Sequence, residues 1–315
     1  MQFTTKIPIE KCQHTISYDS KIVSLGSCFA ANMDEKFQYY KFQNVTNPFG
    51  IIFNPVSLEI VVHRIVNKIT FSEEDIFFHN EAWHCYEVHS ELSHPDKDQF
   101  LENLNSILEV THAQITATTH CIVTLGTAWV YRNNALDKIV ANCHKVPQKQ
   151  FTKEILSIKT IEKSIQSIIA LIQKVNPNCH FIFTVSPVRH IKDGFVENTL
   201  SKSHLISAIH SINQQLTISN YFPSYEIMMD ELRDYRFYAE DMLHPNSIAI
   251  NYIWQRFKET IIDEKVFEIM DEVETIQKAL AHKPFNPLST NHVKFVKNTQ
   301  QKISTLQLKL PTIKF

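Results

Sequence analysis

The sequence predicts an α/β fold with a mainly parallel central sheet covered by helices on both faces. Three observations carry this expectation. The runs Lys21-Ile22-Val23-Ser24-Leu25, Cys121-Ile122-Val123-Thr124-Leu125 and His180-Phe181-Ile182-Phe183-Thr184-Val185 are short, apolar and without alternation, as strands buried on both faces are. A segment of helical spacing follows each, which is the signature of strand–helix–strand units. Turn residues close each run, namely Gly26, Gly126 and Ser186-Pro187.

Residues 1–20 read as an irregular lead-in to the first strand at 21–25. Phe29, Met33, Phe37 and Tyr40 then recur at helical spacing, which predicts a helix over 28–41. Two Asn-Pro turns bracket the apolar stretch Asn47-Pro48-Phe49-Gly50-Ile51-Ile52-Phe53-Asn54-Pro55, a loop that folds back on the body. Leu58, Val61, Val62, Ile65 and Val66 mark a helix over about 56–69. Ser72 opens a short helix, and Trp83 to Val88 reads as a strand. Asp96, with Gln99 three residues on, opens a helix with apolar positions at 100/101, 104, 107/108 and 115. After the strand at 121, Trp129-Val130-Tyr131 and Lys138-Ile139-Val140-Ala141 flank Asn133-Asn134 as a hairpin. A long helix is expected over about 152–176, ended by Asn176-Pro177-Asn178. Helix 201–219 (Leu205, Ile209, Ile212, Leu216), a weaker strand near Tyr225–Met228 and a last domain helix through Ile250, Ile253/Trp254, Phe257 and Ile261 follow. The expected organisation is one α/β domain over 1–265, with a helical insertion at about 48–118. A helical and irregular extension at 266–315 packs on it.

The 315 residues are 43% apolar, with 21 Phe, which supports a folded globule with a large core. Lys and Arg number 31 against 33 Asp and Glu, a net charge of −2. Nothing in that balance points to nucleic acid, an anionic membrane or an acidic partner. The N-terminus lacks a signal-peptide pattern, and no apolar run approaches the ~18 residues of a membrane span, so a cytoplasmic protein is expected. The six cysteines are scattered and read as reduced thiols. His79, His84, His89 and His94 recur every fifth residue. That step turns neighbours to opposite faces of a strand and ~140° apart on a helix, so no metal is expected there. No cofactor is expected either.

The sharpest chemistry lies at the first turn. Ser27 stands where a strand ends and a helix begins, beside free N–H groups and the positive end of the helix dipole. Such a serine is either a helix cap or a nucleophile. A nucleophilic serine needs a base, usually a histidine oriented by a carboxylate. Asp241-x-x-His244-Pro245 offers both within one turn. His89, His144 and His190 are rival bases, each more readily explained as structural or surface residues. Cys28 is expected to pack beneath the turn, its side chain diverging from that of Ser27 by ~100° on a helix.

Gly26-Ser27 together with Asp241-x-x-His244 resembles the SGNH/GDSL hydrolase superfamily. More narrowly, Gly26-Ser27-Cys28-Phe29-Ala30 spells the motif that names the GSCFA family. The resemblance continues through Asn47-Pro48-Phe49-Gly50, Leu125-Gly126-Thr127, Asn142-Cys143-His144-Lys145, Ser186-Pro187-Val188-Arg189-His190 and Asp241-Met242-Leu243-His244-Pro245, over roughly residues 20–255. It implies a three-layer α/β/α fold of the flavodoxin-like SGNH kind. Ser27 is then the nucleophile, His244 the base and Asp241 its orienting carboxylate. It also implies an oxyanion hole from the Ser27 N–H, a glycine N–H that Gly50 fits by order, and an asparagine near Gly126. This chain departs from the last point, reading Gly126-Thr127-Ala128-Trp129, with Thr127 and Asn142 the nearest replacements. His144 and Arg189 are implied only as substrate contacts. The activity implied is that of a serine esterase or acyltransferase on a small-molecule or carbohydrate ester, short acyl groups included. The competing expectations are a non-catalytic glycan- or partner-binding protein and, less well supported, a metal-dependent hydrolase.

Overall fold

A computed structural model describes residues 4–215 and 219–315. In chain order its elements begin with β1 (Lys21–Gly26), α1 (Cys28–Tyr39), β2 (Gln43–Thr46), α2 (Pro55–Val66), β3 (Ile76–His79), β4 (Ala82–Cys85) and α3 (Lys97–Ala117). Then come β5 (His120–Leu125), β6 (Trp129–Asn133), β7 (Lys138–Val140), β8 (Phe151–Ile155), α4 (Ile158–Val175) and β9 (His180–Val185). The chain continues with α5 (Phe195–Gln215), β10 (Ser219–Phe222), the short α6 (Ser224–Glu226), α7 (Ser247–Ile261), α8 (Phe267–Ala281) and α9 (Thr290–Lys309).

The main sheet runs β10-β9-β5-β1-β2, and every pairing in it is parallel. Counting only these five strands along the chain, the order is 2-1-3-4-5, the flavodoxin-like arrangement. Alternate residues of each strand enter different cores. Val23, Leu25, Val123, Leu125, Phe181 and Phe183 pack with α2 to α5 through Val62, Leu104, Ile165 and Leu205. Ile22, Ile122, Ile182 and Phe222 pack with α1, α7, α8 and α9 through Phe29, Phe37, Phe257, Met270 and Leu306. This is the three-layer α/β/α fold that the sequence predicts. Burial on both faces explains why these strands are apolar throughout. Both helices of the segment 48–118, α2 and α3, lie in the layer that covers the sheet. Among the described residues no helix is long and apolar enough to cross a membrane.

Several elements differ from the sequence expectation. Residues 151–155 form β8, paired antiparallel with β6, and α4 starts only at Ile158 after its cap Ser157. The strand expected near Tyr225–Met228 is helical, and the strand of that region is β10, ended by Pro223. Helix α5 starts at Phe195, not 201, directly after Gly194 at φ +112°. Leu216 lies outside the described residues. The polar tail holds the 20-residue helix α9, capped by Ser289.

One backbone position fixes the site. Gly26 has φ +135°, and a Cβ there would sit 2.1 Å from the Thr124 carbonyl oxygen on the neighbouring strand. Both the conformation and the space exclude a side chain. Gly26→Ala is expected to lower stability by about 3 kcal/mol or more, read as a shift in the denaturant midpoint.

Candidate functional site

Ligand sites in open parallel sheets form at the strands' C-terminal ends where the strand order reverses. Here that place is between β1 and β5. Ser27 follows β1 and caps α1 from an extended conformation, its Oγ accepting the Phe29 N–H at 3.3 Å. Gly126 follows β5. A Cβ on Gly126 would lie 3.3 Å from Ser27 Cβ and 2.7 Å from Phe53 Cβ, so its bare Cα lets Ser27 and Phe53 close on it. Asn47, after β2, braces the turn from the other side. Its Oδ1 accepts the Gly26 N–H at 2.7 Å, its N–H donates to Ser24 O, and its Nδ2 is buried without a partner among the described residues. Ser27 itself is 1% exposed.

Helix α5 supplies the floor. Its buried stripe runs Asn198, Ser201/Lys202, Leu205, Ala208/Ile209 and Ile212, changing from apolar to polar as it reaches the strand ends. Asn198 Oδ1 accepts the His190 N–H at 2.8 Å. Ser201 Oγ accepts the Ala128 N–H at 2.7 Å and shares a hydrogen bond with the Thr127 hydroxyl at 2.9 Å. Lys202 Nζ donates to Gly126 O and to Ser186 O, each at 2.7 Å. Burial pulls the Lys202 ammonium down to about 7, against the smaller upward pull of Cys28 and Glu226. Burial likewise pushes the Cys28 thiol up, so it stays protonated near neutrality and is a poor nucleophile.

Asp241 and His244 sit on a loop that docks on the same rim of the sheet. Arg189, after β9, donates its N–H to Leu243 O, and Ala239 N–H donates to His244 O. Met242 at φ +59° makes the sharp bend. Asp241 Oδ1 accepts the N–H groups of Leu243 (2.9 Å) and His244 (3.0 Å), while Oδ2 accepts from His244 Nδ1 at 2.6 Å. The two backbone N–H groups and then the imidazole hold the Asp241 carboxyl down to about 2. An ionised Asp241 fixes the proton of His244 on Nδ1 and leaves Nε2 as the acceptor. Nε2 has no protein partner among the described residues, and both side chains are 45% exposed. No hydrogen bond joins Ser27 to His244 in this state. The half-buried His190 ring lies near both Lys202 and His244. It packs on Phe53 at 5.8 Å, and burial, Lys202 and His244 lower it to about 3.

The other residues singled out in the sequence divide. Arg189 lies at the rim, its guanidinium 5.3–5.7 Å from the ring centres of Phe195, Tyr235 and Tyr238. His144 is not at the rim. It is 3% exposed, bonds Cys85 O through Nε2 at 2.7 Å and packs on Phe77, His84 and Tyr86, because a left-handed turn at His144 and Lys145 folds it onto the β3–β4 hairpin. Burial lowers it to about 4, so it is neutral. Asn142 caps that same turn, its Oδ1 accepting the His144 N–H. The expected backbone oxyanion hole is not assembled. The N–H of Ser27 donates to Thr124 O (3.0 Å), that of Gly50 to Asn47 O (2.8 Å) and that of Gly126 to Phe53 O (2.7 Å). Each belongs to the turn that places the residue. The Thr127 hydroxyl is taken by Ser201 and by the Trp129 N–H. His84, of the fivefold histidine series, spends both ring nitrogens on Ser93 Oγ and His79 O.

Asn198, Ser201 and Lys202 escaped the sequence reading, and Asn47 entered it only as part of a turn, without a role at the site. The available signal was phase: 198, 201 and 202 continue the apolar stripe of 205, 209 and 212.

The family model described as the GSCFA family matches residues 21–257, and that of the GSCFA domain protein, C-terminal domain, matches residues 273–315. No curated protein matches the chain. Among solved structures, the chain is similar to a Clostridium thermocellum family 3 carbohydrate esterase. The identity is 12%, the coverage 84% of this chain and 99% of that one, and the TM-score 0.33, a likeness too loose to carry over any residue role.

Proposed function

The chain belongs to the GSCFA family, and from the site it builds we propose that it is a serine-dependent hydrolase or acyltransferase acting on an ester. The observation that carries the reading is the Asp241–His244 pair, docked through Leu243 on the same strand-end rim that presents Ser27. Ser27 Oγ attacks the ester carbonyl carbon and its proton passes to His244 Nε2. The tetrahedral adduct expels the alcohol, which takes that proton. Water, or a sugar hydroxyl in a transfer, then attacks the acyl-serine with His244 again as base. The exposed rings of Phe195 and Tyr235 beside Arg189 give a flat rim on which a carbohydrate ring stacks, so short-acyl carbohydrate esters are the proposed substrate class. Ser27 is 1% exposed, so this reading requires the residues packed over the turn to give way when an ester binds.

A second reading, a binding protein that keeps the fold without the reaction, is favoured by one observation: the backbone N–H groups of Ser27, Gly50 and Gly126 are all engaged. Treatment with a fluorophosphonate probe followed by peptide mapping separates the two. The expected result is one adduct on Ser27 that His244→Ala abolishes. An unlabelled protein supports the binding reading, and an adduct on Cys28 overturns Ser27 as nucleophile.

A further inference from the structure

We propose that Lys202 is the cationic donor of this site, its ammonium stabilising the negative charge that develops on the substrate's carbonyl oxygen when Ser27 attacks. The inference rests on Ser27 being the nucleophile and adds the group that compensates for the missing asparagine. An ammonium has three N–H donors, and Gly126 O and Ser186 O take two of them. The third has no hydrogen-bond acceptor among the described residues, and on that side the ammonium lies over the Tyr225 ring. Lys202 is 1% exposed and, among the described residues, has no carboxylate within ion-pair distance. The groups that face it are Cys28 on α1, His190 after β9, and Tyr225 (ring centre at 5.5 Å) and Glu226 on α6.

A buried charge without a counter-ion is expensive, and a methionine or leucine at this stripe position would continue the apolar face of Leu205 and Ile209 at no such cost. Tying two strand ends together needs N–H donors, not charge. The charge has a use beside that tie: Lys202 grips the carbonyl of Gly126, a residue so close to Ser27 that a Cβ on it would lie 3.3 Å from Ser27 Cβ, and backbone N–H groups there are already engaged. Lys202 and Ser27 are both 1% exposed, and a fixed cation shielded from water acts strongly on a developing oxyanion. In the attack the Oγ–C bond forms, the carbonyl π pair moves onto oxygen and the Ser27 proton goes to His244. Lys202 keeps its own proton throughout.

The test is the rate of fluorophosphonate labelling of Ser27 between pH 6 and 9, because phosphonylation also develops negative charge on oxygen. The wild-type rate is expected to fall on the alkaline side as Lys202 loses its proton, its value standing near 7. Lys202→Met is expected to label about 100–1,000-fold more slowly, with the alkaline fall gone. Lys202→Gln, which retains N–H donors for the two carbonyls without the charge, covers the case in which the methionine variant does not fold, and the same loss is expected. A folded variant that labels within threefold of wild type, or a wild-type rate without an alkaline fall before pH 9, overturns the proposal for Lys202 and leaves Ser27 standing. A wild-type protein that does not label overturns the Ser27 reading itself.

Discussion

Ser27→Ala is expected to lower kcat/KM for a short-acyl aryl ester by about 10⁴–10⁶, His244→Ala by a similar factor, and the double variant by no more than the worse single one. Those factors correspond to about 5–8 kcal/mol of transition-state stabilisation. Non-additivity is the sharper half of the prediction. A nucleophile and its base act as one device, so removing the second partner after the first removes nothing more. The effect is separable from folding. Ser27 Oγ makes one long cap hydrogen bond to Phe29, and its loss costs about 1 kcal/mol. His244 is 45% exposed on a loop, where truncation leaves no cavity. Single variants whose losses multiply in the double would show that Ser27 and His244 act apart. Cys28→Ala keeps the rate within about threefold on this reading, because burial holds that thiol protonated.

The parts of the fold that were legible in the sequence share one physical cause. Strands β1, β5 and β9 are buried on both faces, so their identity is written in contiguous apolar residues. Strand β2 (Gln-Asn-Val-Thr) is the edge of the same sheet, half-buried at every position, and its composition is that of a turn. Strand β8 (Phe-Thr-Lys-Glu-Ile) is stabilised by cross-strand pairing with β6, an interaction that no local periodicity records.

The site divides along the same line. Ser27 and the Asp241–His244 pair could be picked out as candidates because the chemistry proposed for them needs a serine at a strand–helix turn and a carboxylate within one turn of a histidine. Lys202 was not, since a lysine in a helix reads as solvated unless its phase against Leu205 and Ile209 is followed to the sheet's edge. The sequence could name candidate oxyanion donors, but not whether their N–H groups are free. Whether the Gly50 N–H is free depends on its closing a turn onto Asn47 O, and that is decided by how the loop seats against β1.

The Asp241→Asn variant isolates the carboxylate from the loop that it organises. The substituted chain is expected to retain the loop, because the amide oxygen still accepts the N–H groups of Leu243 and His244, as Asp241 Oδ1 does. The amide nitrogen then faces His244 Nδ1 where Oδ2 stood, and two donors cannot face each other. His244 moves its proton to Nε2, and the nitrogen meant to receive the Ser27 proton becomes a donor. The expected loss in kcat/KM is about 10²–10⁴, smaller than for Ser27→Ala since the exposed pair is partly solvated and water competes for Nδ1. The pH dependence follows from the same carboxylate. Asp241 is held down to about 2, below its ordinary value of about 4. Its contribution to stability is therefore complete above about pH 4 and is lost as pH falls through about 2. Wild type and Asp241→Asn should thus converge in stability near pH 2, while their activities differ throughout the neutral range. Two-dimensional NMR of the His244 ring nitrogens reads the tautomer directly: Nδ1–H in the wild type, Nε2–H in the variant. An unchanged tautomer with a lost rate would show that Asp241 acts through charge, not orientation.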